Sequence, residues 1–132
     1  MKIAVETLSL NVLESGSGEP ALLFQHYWGG SARTWNRVIE QLCSTFRCIA
    51  YDQRGWGESD APADGYAISD LAGDAAALVR ALGLKRYVLV GHSKGGKVAQ
   101  FLAAQRPIGL HSLKIAFGDQ LPRSRRGQFG RL

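Results

Sequence analysis

The chain has 132 residues, of which 45% are hydrophobic and 20% charged, enough for one small domain with its own core. No apolar run approaches the ~20 residues of a membrane helix, and Glu6 interrupts the start before it can form the apolar core of a signal peptide; no membrane partner and a cytoplasmic location are expected. The net charge of +5 is lopsided, because residues 119–132 set Arg123, Arg125, Arg126 and Arg131 against the single Asp119, so the basic character says little about partners of the folded body.

In chain order, residues 2–13 alternate loosely between apolar and polar, which predicts one or two antiparallel strands. Ser15 to Pro20 is a turn cluster, and Ala21–Gln25 is a short apolar strand. Arg33 to Leu42 is helical, with Trp35, Val38, Ile39 and Leu42 on one stripe. Cys43 and Cys48 have no CxxC or Cys/His spacing and are expected as buried free thiols; no metal is expected. Arg47–Tyr51 is the next strand, followed by a glycine-rich loop from Asp52 to Asp64. Ser69 is placed to cap a helix reaching Leu82, with Leu71, Ala75, Leu78 and Leu82 as its core stripe and Gly83 as its stop. Gly73 inside that helix costs ~1 kcal/mol relative to alanine.

An apolar strand over 87–90 then runs into Gly91-His92-Ser93-Lys94-Gly95-Gly96, and a helical pattern follows from Lys97 to Gln105, with Pro107 as its stop. A Gly-x-Ser-x-Gly turn between a strand and a helix is the setting of a nucleophile elbow, with Ser93 at the apex. A Cβ at Gly91 or Gly95 would crowd the turn or the backbone beside it. Leu110–Phe117 is a last strand, with Lys114 inside it. Two leading strands followed by repeated strand-helix units predict an α/β domain: a mostly parallel sheet with helices on both faces. The domain is expected over 1–118, and 119–132 is expected to be an Arg-rich, disordered tail. Four arginines with only Phe129 to stack on lack the folded basic face of a nucleic-acid binder, so no nucleic-acid partner is expected.

In such a sheet the loops at the carboxyl ends of the strands converge. Here they are His26-Tyr27-Trp28-Gly29-Gly30-Ser31, Asp52-Gln53-Arg54-Gly55-Trp56-Gly57-Glu58-Ser59-Asp60 and the elbow. In this order and spacing they resemble the α/β-hydrolase superfamily. Within it they resemble small-molecule hydrolases with an HGxGGS-type first loop, a DxRGxGxS second loop and a GHSMGG elbow; the likeness covers roughly residues 3–113. The resemblance implies Ser93 as nucleophile, with the backbone N–H groups of Trp28 and Lys94 as the oxyanion hole. It implies a small-molecule, ester-like substrate, hydrolysed as by an esterase or a C–C hydrolase, and no cofactor. Epoxide hydrolases and haloalkane dehalogenases of this fold resemble one another in carrying Asp at the apex, so Ser93 points away from both and toward acyl chemistry. Tyr27 stands where glycine is common and Lys94 where methionine is. Lys94 either brings a cation near the oxyanion or decorates the pocket rim.

Each feature also has a structural reading. Ser93 is either a nucleophile or a turn residue in a fold that no longer catalyses. Asp52 and Arg54 are expected as an ion pair bracing the loops rather than as catalysts, and His26 as a partner for loop backbone. His92 is a poor base, because neighbouring strand side chains point to opposite faces. Trp28 and Trp56 either line the pocket entrance or pack, and Trp35 packs. Asp70 and Asp74 suit the start of a helix.

A serine hydrolase also needs a base and an acid that orients it. The superfamily order is Ser, acid, His. After Ser93 the chain has only His111 and then Asp119, the reverse order, and His111 is expected at the strand end away from the loops. The likeness fades from Lys114 on, so a truncated or frame-shifted form, weakly active or inactive alone, is expected. A non-catalytic binding remnant is the alternative. The last strand is expected as an uncovered sheet edge open to self-association.

Overall fold

The computed structural model describes residues 1–116; the expected tail at 119–132, the end of the last strand at Phe117 and the position of Asp119 lie outside the described residues. Six strands form one sheet: β1 (Lys2–Val5), β2 (Leu8–Ser15), β3 (Ala21–Gln25), β4 (Cys48–Tyr51), β5 (Tyr87–His92) and β6 (Leu110–Ala116). They lie in the order β1-β2-β4-β3-β5-β6. β1 pairs antiparallel with β2, and β2 antiparallel with β4. β4, β3, β5 and β6 are mutually parallel.

The apolar strand runs have a simple cause. Side chains alternate across a strand, and this sheet is covered on both faces. Leu23, Ile49 and Leu89 pack in one core with Leu71, Ala75 and Leu78 of α2 (Ile68–Ala81) and Val98, Ala99 and Leu102 of α3 (Lys94–Ala104). Their neighbours Leu22, Phe24, Ala50, Val88 and Val90 pack in the other with Trp35, Val38 and Ile39. Trp35 closes a 3-10 turn (Ala32–Trp35) that leads into α1 (Asn36–Leu42). Burial of β3, β4 and β5 on both sides is what erases the alternation from their sequences.

Several local expectations are corrected. The helix expected from Arg33 is two pieces, because Ser31 starts a tight turn: its Oγ accepts from the Arg33 N–H at 3.3 Å while Thr34 Oγ1 accepts from the Ser31 N–H at 3.2 Å. Ser69 does not cap α2. The cap position is Ala67, whose N–H donates to the Asp70 carboxylate at 3.0 Å, the acid-side half of a capping box. The helix after the elbow starts at Lys94 rather than Lys97, so Gly95 and Gly96 are helical. Lys114 stays in register opposite Val90. Of the cysteines, Cys48 is buried, which pushes its thiol up to about 12, but Cys43 is only half-buried.

β6 is a sheet edge, partly exposed along its length. Gly83 ends α2 in a left-handed conformation, φ 63°. Gly73 lies on the exposed side of α2, with open space where a Cβ would stand. Gly73→Ala is therefore expected to stabilise the fold by ~1 kcal/mol, read as a higher urea midpoint at unchanged slope; a lower midpoint would contradict the open packing around residue 73.

Candidate active site

The four parallel strands finish at the same edge, which gathers the segments 26–31 and 52–60 and the turn at Ser93. β5 is buried throughout and its last residue is His92. Ser93 then takes φ 53° and ψ −113°, a left-handed backbone that a non-glycine residue adopts only where its surroundings force it. Three glycines supply that force. A Cβ on Gly91 would strike the backbone of Gly95 and Gly96, one on Gly95 the carbonyls of Gln25 and His26, and one on Gly96 the Ile115 side chain. Strand, turn and helix thus approach closer than any side chain permits, and Ser93 is left exposed at the apex. Its N–H donates to the Ala116 carbonyl at 2.8 Å, which ties the turn to β6.

Asp52 organises the neighbouring loops. It is buried, and its carboxylate accepts from the Ala32 N–H at 2.7 Å, the Glu58 N–H at 2.9 Å and Asn11 Nδ2 at 3.1 Å. One charge therefore joins the first loop, its own loop and β2. Arg54 is not its partner. The Arg54 guanidinium reaches across to Asp74 of α2 instead, at 2.7 Å from each of Nε and Nη2, and donates from Nη1 to the Gly65 carbonyl at 2.8 Å. The hydrogen bonds to Asp74 hold Arg54 above its ordinary range. The expected Asp52–Arg54 pair is thus replaced by two separate anchors: Asp52 accepts from Ala32, Glu58 and Asn11, and Arg54 binds Asp74. Asp74 serves Arg54, while Asp70 serves the start of α2.

His26 is fully buried. Its Nε2 accepts from the Gln53 N–H at 2.9 Å, so its proton sits on Nδ1 and is donated to the Tyr27 carbonyl at 2.7 Å. Gln53 Nε2 also donates to the His26 carbonyl at 2.7 Å. Burial holds the imidazole below its ordinary value of 6.5. His92 packs its ring edge-on against Tyr27 and Trp35, with centroids 5.3 and 6.5 Å apart. Trp35 is buried, as the stripe predicts. At the mouth, the half-exposed Trp28 meets Trp56 edge-on at 4.9 Å, and Lys94 Nζ lies 3.5 Å from the centre of the Trp28 ring. Neither the Trp28 nor the Lys94 amide donates to a backbone or side-chain acceptor among the described residues. Sequence reasoning missed Asn11, Gln53 and Asp74. Gln53 was within reach as the neighbour of Asp52; Asn11 and Asp74 carry no local signal.

A family model described as alpha/beta hydrolase fold matches residues 20–114. The chain belongs to the α/β-hydrolase fold family. It is 40% identical over 129 residues to an epoxide hydrolase of Caballeronia sordidicola, covering 96% of this chain and 38% of that protein. It is 39% identical over 106 residues to the 2-(acetamidomethylene)succinate hydrolase of Mesorhizobium japonicum, covering 80% of this chain and 38% of that protein. Among solved structures, an epoxide hydrolase of Vigna radiata superposes with a TM-score of 0.83 at 32% identity, over 87% of this chain and 37% of that one. The chain thus spans about two fifths of the length of these α/β hydrolases. Among the described residues no helix is long and apolar enough to cross a membrane.

The lowered His26 value sets a pH dependence. Below about pH 6.5 the unfolded chain binds a proton that the folded chain refuses. Stability is therefore complete above that pH, declines as pH falls through it, and levels off once the folded imidazole also titrates. Urea midpoints measured between neutral and acid pH are expected to fall less steeply in His26→Asn than in the native chain; parallel slopes would show that His26 does not carry the effect.

Proposed function

We propose that this α/β hydrolase acts on acyl substrates through Ser93. The reading rests chiefly on one observation, a serine at the exposed apex of a strained strand-to-helix turn in a chain of this family. In this mechanism Ser93 Oγ adds to the acyl carbon as its proton passes to a general base. The oxyanion is held by the Trp28 and Lys94 amides. The C–O bond then breaks and the alcohol leaves with the proton; water next adds to the acyl-serine, releasing the acid and restoring the Ser93 hydroxyl. Two such amides aimed at one oxygen lower the barrier by several kcal/mol, about 3 for each donor. The Asp-apex pattern of epoxide hydrolases separates Ser93 from epoxide opening, although relatives bear that name. A small ester or amide is the substrate class this favours.

We assign the base to none of the three histidines as they stand among the described residues. His26 is fixed between Gln53 and Tyr27, His92 between aromatic rings, and His111 stands near the start of β6, at the sheet end opposite Ser93. That placement also favours the second reading, a binding module that retains the fold without turnover. A fluorophosphonate probe and p-nitrophenyl acetate separate them. Labelling and slow hydrolysis are expected, both abolished in Ser93→Ala. The expected rate is the roughly 10³–10⁴-fold acceleration over water that an oxyanion hole and binding supply by themselves. Labelling that survives Ser93→Ala, or none in the native chain, would favour the binding module.

We also infer that β6 pairs with a second copy, since its outer ladder is uncovered among the described residues. Sedimentation is expected to show concentration-dependent association at micromolar chain; a monomer across that range would contradict it.

A further inference from the structure

The reading of Ser93 leaves the Lys94 side chain without a task, and its placement supplies one. Lys94 is partly exposed, and its ammonium lies over the ring of Trp28, 3.5 Å from the ring centre. Trp28 also packs in a T-shaped pair with Trp56, with ring centres 4.9 Å apart, and its loop is pinned through Ala32 to Asp52. The ion pairs among the described residues are Arg47 with Glu14, Arg54 with Asp74 and Arg80 with Glu6. None includes Lys94. A cation is therefore held in place by an aromatic platform, with no carboxylate of the described residues to neutralise it.

Its position relative to the chemistry follows from the backbone. The residues that form the cation–π pair are the two whose amides are assigned to the oxyanion. The ammonium is thus one lysine stem from the site where the acyl oxygen would sit, beside the loop that carries Trp28. An uncharged acyl substrate gains little from such a group. A substrate with its own anion a few bonds from the scissile carbonyl would meet a counter-ion already in place, and two points of attachment would fix its orientation.

We propose that Lys94 is a specificity-determining residue that selects acyl substrates bearing a carboxylate near the scissile bond, such as half-esters of short dicarboxylic acids. The carboxylate binds Lys94 Nζ beside the Trp28 ring while the ester carbonyl points to the two amides. The inference rests on the assignment of the site to acyl chemistry, but its test does not need turnover.

The test is a tryptophan-fluorescence titration of the full chain with monomethyl glutarate, an anion at neutral pH, and with dimethyl glutarate, its neutral counterpart. The native chain is expected to prefer the monoester by about fivefold, the scale of an exposed ion pair. That preference should fall toward one in Lys94→Met and in Lys94→Gln, persist in Lys94→Arg, and weaken with added salt. A preference unchanged in both neutral variants would overturn the proposal. So would equal binding of the two esters by the native chain, or no measurable binding of the monoester at any soluble concentration. If the preference depends on Lys94 while p-nitrophenyl esters are not turned over, the specificity assignment stands and the serine chemistry fails. If esters are turned over without any preference, the reverse holds.

Discussion

The arrangement of this site depends on burying one charge well. Asp52 sits at the end of β4 with almost no contact with water, and a carboxylate there is tolerable only if its oxygens are satisfied. The chain satisfies them with two backbone amides and a side-chain amide drawn from three separate segments. The same requirement that keeps the charge soluble in the protein interior therefore fixes where those segments lie. Gly57 belongs to this bargain: its φ of 51° and bare Cα let the second loop curl tightly around the carboxylate, which any Cβ would strike. Gln53, next in sequence, then locks the second loop onto the first by holding both the ring and the carbonyl of His26. Because Gly95 packs on the carbonyls of Gln25 and His26, the elbow takes its position from the same anchor.

The strained turn at Ser93 is the counterpart of that anchor. A left-handed, non-glycine backbone costs on the order of 1–3 kcal/mol. It persists because the elements on either side cannot move: β5 is wholly buried, and α3 contributes Val98, Ala99 and Leu102 to the core. Relaxing Ser93 would mean displacing one of them. The exposure of the serine is thus enforced by packing several residues away.

Much of this was legible in the sequence, and the boundary has physical causes. β3, β4 and β5 announced themselves because strands buried on both faces must be apolar throughout. α2 announced itself through Leu71, Ala75 and Leu78, and the elbow through its glycines. Partnerships were less legible. Arg54 pairs with a residue 20 positions away on a helix, and nothing local distinguishes Asp74 from Asp52 as its mate; only the folded arrangement shows that Asp52 instead takes its donors from Ala32, Glu58 and Asn11. The start of α2 was misplaced because a serine near a helix start looks like a cap, whereas Asp70 does the capping from inside. The stacking of Lys94 on Trp28 joins residues 66 positions apart, one at the start of α3 and one in a loop, and has no sequence signal at all.

The strand order also constrains how the molecule assembles. β3 is the third strand made but lies between β4 and β5. Its backbone groups find ladder partners on one side only after residues 48–51 are available, and on the other only after 87–92. Until then an apolar strand, Ala21–Gln25, has an open edge. Pairings of such sequence separation close large loops before they return any stabilisation, so they are slow. The segment that later forms the centre of the fold is therefore the one most in need of shelter while the chain folds.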